Sequence, residues 1–124
     1  DICLVDSDFE NLPNHLVKAD IVLNPRTDCD GYPVKLLNYM ALGKPIVSFE
    51  SSAKNIVHGV NGWIVKDADI DAFADAILML LEKPMIAQSL GIKAKEHCFQ
   101  MHSWEAIAQK LELIYASLLS SYRK

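Results

Sequence analysis

Short apolar runs of three or four residues recur along this chain, and between them lie longer stretches whose apolar residues fall at three- and four-residue spacing. Runs that read apolar on both faces suit the strands of a parallel sheet covered by helices on each side. The runs are Ile2 to Val5, Ile21 to Leu23, Ile46 to Phe49 and Trp63 to Val65. The fold class expected is therefore α/β, a parallel sheet with flanking helices.

The helices can be placed by their start and stop signals. Asn11 is a capping residue with Pro13 in the first turn that follows, where a missing amide proton is not needed. A second helix is predicted from about Pro33 to Leu42. Gly43 stops it, Lys44-Pro45 forces the chain extended, and Leu36, Leu37, Met40 and Ala41 form its inward face. A brief helical turn is expected around Asn55-Ile56-Val57, then a tight turn at His58-Gly59-Val60-Asn61-Gly62, where two glycines and an asparagine tolerate positive φ. Ile70, Phe73, Ala74, Ile77, Leu78 and Leu81 lie on one helical stripe, with Asp69 and Asp71 at its positive end. Pro84 opens a helix reaching about Cys98, and Ser103 caps the last, which carries Trp104, Ile107, Ala108, Leu111, Ile114, Tyr115, Leu118 and Tyr122.

With 124 residues, 51% of them hydrophobic, the chain can bury a core as one unit. Its formal net charge is -4 and its basic residues are scattered, so nucleic acid is not an expected partner. Cys3, Cys29 and Cys98 are odd in number and share no short spacing, which points to a reducing compartment. No apolar run approaches the roughly 20 residues of a membrane span. His15, His58, His97 and His102 have no metal-site spacing with one another or with the cysteines, so no metal is expected. Ser51-Ser52 follows a strand but lacks the flanking glycines of a nucleophile elbow.

The stretch with chemical potential runs from Asn24 through Arg26, Asp28, Asp30 and Gly31 to Lys35, a polar loop between the C-terminal end of a strand and the N-terminus of a helix. In open parallel sheets ligands bind at such places. Free amides of the first helical turn and the helix dipole favour an anion, and Gly31 lets a ligand approach the main chain. The same Asp28, Asp30 and Gly31 also serve as ordinary turn chemistry.

Leu12-Pro13, then Ala19 to Leu23, then Asp30-Gly31-Tyr32-Pro33-Val34-Lys35-Leu36-Leu37-Asn38-Tyr39-Met40-Ala41-Leu42-Gly43-Lys44-Pro45-Ile46-Val47-Ser48 follow one another in an order and spacing that resemble the C-terminal domain of retaining, group 1 glycosyltransferases. Asn55 to Val65 and Ser103-Trp104-Glu105 extend the resemblance over nearly the whole chain. It implies a Rossmann-like, partial GT-B C-terminal domain spanning residues 1–124, binding a nucleoside diphosphate sugar as donor substrate with no further cofactor.

The resemblance also implies roles. An acid in the loop lies near the donor sugar hydroxyls and a second, eight positions on, near the nucleotide ribose; here these positions hold Asp30 and Asn38. Asp30 is a shorter acid than the usual glutamate. Asn38 is a larger departure, because an amide can accept from a ribose hydroxyl but loses the charge-assisted bond. Gly31, Tyr32, Pro33 and Val34 would face the diphosphate or sugar. Lys35 would add a positive charge there, or stand as a solvated lysine. Arg26 would contact phosphate, or pair with Asp28 or Asp30.

The implied partners are the donor, a glycan or lipid-linked acceptor, and an N-terminal domain of the same protein, without which this fragment would be inactive and prone to self-association. The implied location is cytoplasmic, peripheral at the inner face of the membrane. Two alternatives stand beside this reading: a degenerate, non-catalytic scaffold of transferase origin, and another phosphate-binding domain such as a sugar-nucleotide epimerase, which the absence of a glycine-rich loop after the first strand weakens.

Overall fold

The computed structural model describes Leu4 and residues 10–123. The strand expected over Ile2 to Val5 falls, apart from Leu4, outside that range. Among the described residues three parallel strands, β1 (Val22–Asn24), β2 (Ile46–Phe49) and β3 (Trp63–Val65), lie side by side in sequence order. Val22 stands opposite Ile46 and Asn24 opposite Ser48; on the other side Val47 faces Trp63 and Phe49 faces Val65. The helices are α1 (Leu12–Val17), α2 (Val34–Ala41), α3 (Ile70–Glu82), α4 (Pro84–His102) and α5 (Trp104–Tyr122).

All four residues of β2 are buried, so both of its faces must be covered. On one side Val47 and Phe49 pack with Val65 against Phe73, Ala76 and Leu80 of α3. On the other, Val22 and Ile46 pack against Leu36 and Met40 of α2. Helix α4 joins the two layers: Ala87 and Leu90 belong to the first, Ala94 and Cys98 to the second. Helix α5 buries no residue, and its Trp104, Leu113, Tyr115, Leu118, Leu119 and Tyr122 are exposed.

Several expected boundaries shift for identifiable reasons. β1 begins at Val22 and includes Asn24, because that side chain is paired across the sheet instead of starting the loop. The helical turn after β2 is a 3-10 turn at Glu50–Ser52, not at Asn55-Ile56-Val57, since Asn55 takes the left-handed conformation with φ +60. In the turn before β3 only Gly59 has positive φ. Gly62 is required there for space, because an added β carbon would lie 2.7 Å from Ile56 Cγ2.

The inward face of α3 is Phe73, Ala76 and Leu80, while Ile70, Leu78 and Leu81 of the expected stripe are exposed. Apolar residues occupy most of that helix's circumference, so the pattern leaves its rotation open. The Phe49–Phe73 contact, with ring centroids 4.7 Å apart, sets it. Helix α4 continues one turn past Cys98 to His102, and Ser103 then caps α5 by accepting from the Ala106 amide at 3.1 Å.

The stop after α2 is a Schellman arrangement: Gly43 donates to the Met40 carbonyl at 2.9 Å and Lys44 to that of Tyr39 at 3.2 Å, with Gly43 at φ +67. Against this turn lies Gly91 of α4, where a β carbon would overlap the Gly43 carbonyl. Both sides of that contact are backbone, so neither can give way by a rotamer change. Gly91→Ala should therefore destabilise the fold by about 1–3 kcal/mol, read as a lower urea midpoint. A wild-type midpoint would mean that α4 can step away from the turn.

Candidate functional site

The loop leaving β1 is held from beneath by a buried polar network. Asn24 Nδ2 donates to Ser48 Oγ at 2.9 Å and to Ser52 Oγ at 3.0 Å, with a longer contact of 3.3 Å to the Ser52 carbonyl. Ser48 Oγ donates to the Phe49 carbonyl at 3.0 Å. Ser52 Oγ donates to the Arg26 carbonyl at 2.7 Å, and Ser51 Oγ to that of Thr27 at 2.8 Å. Burying an unpaired amide or hydroxyl is unfavourable by about 1–3 kcal/mol, so these groups are placed where each satisfies another. No buried side-chain polar atom among the described residues lacks a partner.

Above this base the loop is open. Arg26, Asp28, Asp30, Gly31, Val34 and Lys35 are exposed, and Gly31 turns the chain at φ +100. Arg26 forms no ion pair with Asp28 or Asp30 among the described residues. Helix α2 starts after a buried Pro33 in extended conformation, with no side chain capping its first amides and no acid in its first turn. An uncapped N-terminus beside a glycine at the end of a parallel strand can receive an anion.

Tyr32 is tied to the far end of α4. Asn55 Nδ2 lies 3.0 Å from the Tyr32 hydroxyl, to which it donates, and 3.2 Å from His102 Nε2. With the amide so oriented, His102 accepts in its Nδ1-protonated neutral form. The Tyr32 and His102 rings are 5.8 Å apart. Burial pushes the Tyr32 phenol above its ordinary range, opposed by the Asn55 bond and reinforced by Cys98.

Asn38, in the second turn of α2, is half-buried and opens onto a cavity of 170 Å³ shared with Leu12, Pro13, Leu16, Ala41 and Leu42. The structure thus brings Arg26, Asp30, Gly31, Tyr32, Pro33, Val34 and Lys35 to one loop and helix start. Asn38 stands on the Val34–Lys35 side of α2, a turn further along and facing α1. Sequence reasoning set Asn24 at the start of this loop without its buried pairing, and missed Ser48, Ser52, Asn55 and His102 as neighbours of it. One signal was present: a lone polar residue ends one apolar strand run and stands near the end of the next, Asn24 and Ser48.

Residues 3–83 match the family described as glycosyl transferases group 1. The chain is 35% identical over 114 residues to the amylovoran biosynthesis glycosyltransferase AmsK of Erwinia amylovora, an alignment taking in 83% of this chain and 28% of that protein. It is 27% identical over 117 residues to a GDP-mannose-dependent monoacylated alpha-(1-6)-phosphatidylinositol monomannoside mannosyltransferase of Corynebacterium glutamicum, covering 89% of this chain and 31% of the relative. Among solved structures, Anabaena HepE in complex with UDP superposes with a TM-score of 0.78 at 20% identity, over 86% of this chain and 30% of that one. Sucrose-phosphate synthase from Thermosynechococcus elongatus superposes at 0.79 and 24% identity, over 95% and 30%.

The fold is that of one part of a GT-B enzyme, and the chain belongs to the group 1 glycosyl transferases. It spans less than a third of the length of these relatives.

The His102 contact generates a pH test. Burial first, then His97 and Lys110, hold the His102 imidazole below its ordinary value near 6.5. The unfolded chain therefore binds the proton more readily, and the folded state loses stability as pH falls from about 6.5 through the depressed folded value. The unfolding free energy should fall over that range, and fall less in His102→Gln, which keeps an acceptor without a titrating ring. An identical pH slope in the two proteins would place the proton uptake elsewhere.

Proposed function

We propose that the chain is the donor-binding half of a retaining glycosyltransferase that takes a nucleoside diphosphate sugar at the Arg26–Lys35 loop and α2. The observation that carries this reading is the uncapped N-terminus of α2 behind Gly31, on a loop whose backbone is held while its charged side chains form no ion pairs among the described residues. Membership of the group 1 family supports it, as does the UDP bound to HepE, a protein of like fold.

In this reading the diphosphate lies on the amides following Gly31, flanked by Arg26 and Lys35, with Asp30 at the sugar and Asn38 at the ribose. The residues contribute position and charge stabilisation of the departing diphosphate, not a nucleophile. The donor is the one small ligand, with no metal. The rest of the parent protein supplies the acceptor site, for a glycan or lipid-linked glycan, and the remaining cationic groups at the diphosphate. This chain alone does not turn over. Among the described residues no helix is long and apolar enough to cross a membrane, and the proposed place of work is the cytoplasmic face, at its periphery.

Asn38 favours one rival, a scaffold that has lost its donor. Calorimetric titration of the full-length protein with uridine and guanosine diphosphates and their sugars separates the two: binding supports the transferase, and silence towards all of them supports the scaffold.

Two substitutions refine the assignment. Asp30→Ala should lower turnover more than diphosphate affinity, because the carboxylate is assigned to the sugar; the reverse pattern would move it out of that subsite. Asn38→Glu should tighten diphosphate binding by about 1 kcal/mol through a charge-assisted bond to ribose. Unchanged affinity would put the ribose elsewhere.

A further inference from the structure

The geometry points to Ser52 as a positioning residue: its buried hydroxyl, set by Asn24, holds the Arg26 carbonyl and so fixes the loop that receives the donor. This inference rests on the donor-binding reading of that loop. Ser52 is 0% exposed and sits on the 3-10 turn after β2, in a different segment from any residue assigned to the donor. Its oxygen accepts from Asn24 Nδ2 at 3.0 Å, so its own proton must go to an acceptor. The Arg26 carbonyl at 2.7 Å offers a shorter and better bond than the Phe49 carbonyl at 3.4 Å. Orientation is thereby passed from strand β1 through a side-chain amide and a hydroxyl to the backbone two residues beyond the strand end.

Ser51 doubles the grip. Its hydroxyl holds the next carbonyl, that of Thr27, at 2.8 Å, while its amide is held by Asp67 Oδ1 at 3.1 Å. Consecutive serines on one turn thus hold consecutive carbonyls of the loop. Both hydroxyl protons are engaged on loop carbonyls, which assigns the two serines to holding backbone. Ser48 is the internal control. It belongs to the same buried network and is also 0% exposed, yet it donates to Phe49 and touches no loop carbonyl.

A loop located by two hydrogen bonds is free to drift when one is removed, and misplacement of about 1 Å is enough to weaken contacts that depend on alignment. The test compares Ser52→Ala, Ser51→Ala and Ser48→Ala in the full-length protein. It measures amide hydrogen exchange over residues 26–31 without ligand, and diphosphate affinity by calorimetry.

Ser52→Ala should speed loop exchange and weaken diphosphate binding about fivefold to tenfold, the loss expected from one hydrogen bond. Ser51→Ala, at a half-buried and more tolerant position, should act in the same direction and keeps the test open if Ser52→Ala does not fold. Ser48→Ala removes a partner of Asn24 but no bond to the loop, so it should lower the unfolding midpoint while changing loop exchange and affinity less than Ser52→Ala does. Loop exchange that is unchanged in both the Ser51 and Ser52 variants overturns the anchoring role. Faster loop exchange with undiminished affinity overturns its bearing on the donor. If the wild-type protein binds no diphosphate while loop exchange responds as expected, the anchor stands and the donor reading fails.

Discussion

A central strand with no exposed residue is the constraint around which the rest of this domain is arranged. β2 must be paired on both edges and covered on both faces, so β1 and β3 flank it, α2 and α3 cover it, and α4 reaches into both layers. Closure of the second layer depends on Gly91 lying directly on the Gly43 turn, a backbone contact that no larger residue permits. The same burial creates a polar problem at Ser48, whose hydroxyl lies inside the sheet with no access to water. Asn24, directly opposite in the register, answers it.

That answer has a consequence for the loop. An amide that donates to one serine in a parallel pair is close enough to reach another on the turn just beyond it, and the second serine then reaches the departing chain. The need to satisfy buried polar groups and the need to hold a ligand loop are thus met by one network. The uncapped start of α2 lies further along the anchored chain, and the helix itself is fixed by Leu36 and Met40 packing on Val22 and Ile46 of the sheet.

The strands Ile46 to Phe49 and Trp63 to Val65 were legible because a strand between two helical layers reads as a nearly continuous apolar run, broken here only by Ser48, and α2 because Gly43 and Pro45 end it unambiguously. The loop itself was legible from position and turn chemistry. What could not be read were relations between segments. The rotation of α3 was hidden because Ala, Leu, Ile and Met occupy most of its faces. The left-handed Asn55 was hidden because nothing local distinguishes it from Asn61, which instead turns its side chain back onto Val57 and Asn55. Ser52 looked like half of an unremarkable serine pair, since its meaning lies in a carbonyl 26 residues away.

The division of labour within the loop is the physical basis for reading it as a site. Its backbone is held by neutral hydroxyls at Arg26 and Thr27, and among the described residues the side chains of Arg26, Asp30 and Lys35 form no ion pairs that a ligand would have to break. Lys35 in particular sits in the first turn of α2, where a cation opposes the dipole by about 0.3–1 kcal/mol when nothing negative is near. The helix also lacks the side-chain cap and first-turn acid that would relieve this, although α3 has both in Asp69 and Asp71. Of these two helix starts, then, that of α3 is electrostatically completed by its own residues, and that of α2, like that of α4, has neither a side-chain cap nor a first-turn acid. An anion at the start of α2 would supply the missing negative charge and turn Lys35 from an opposing group into a partner.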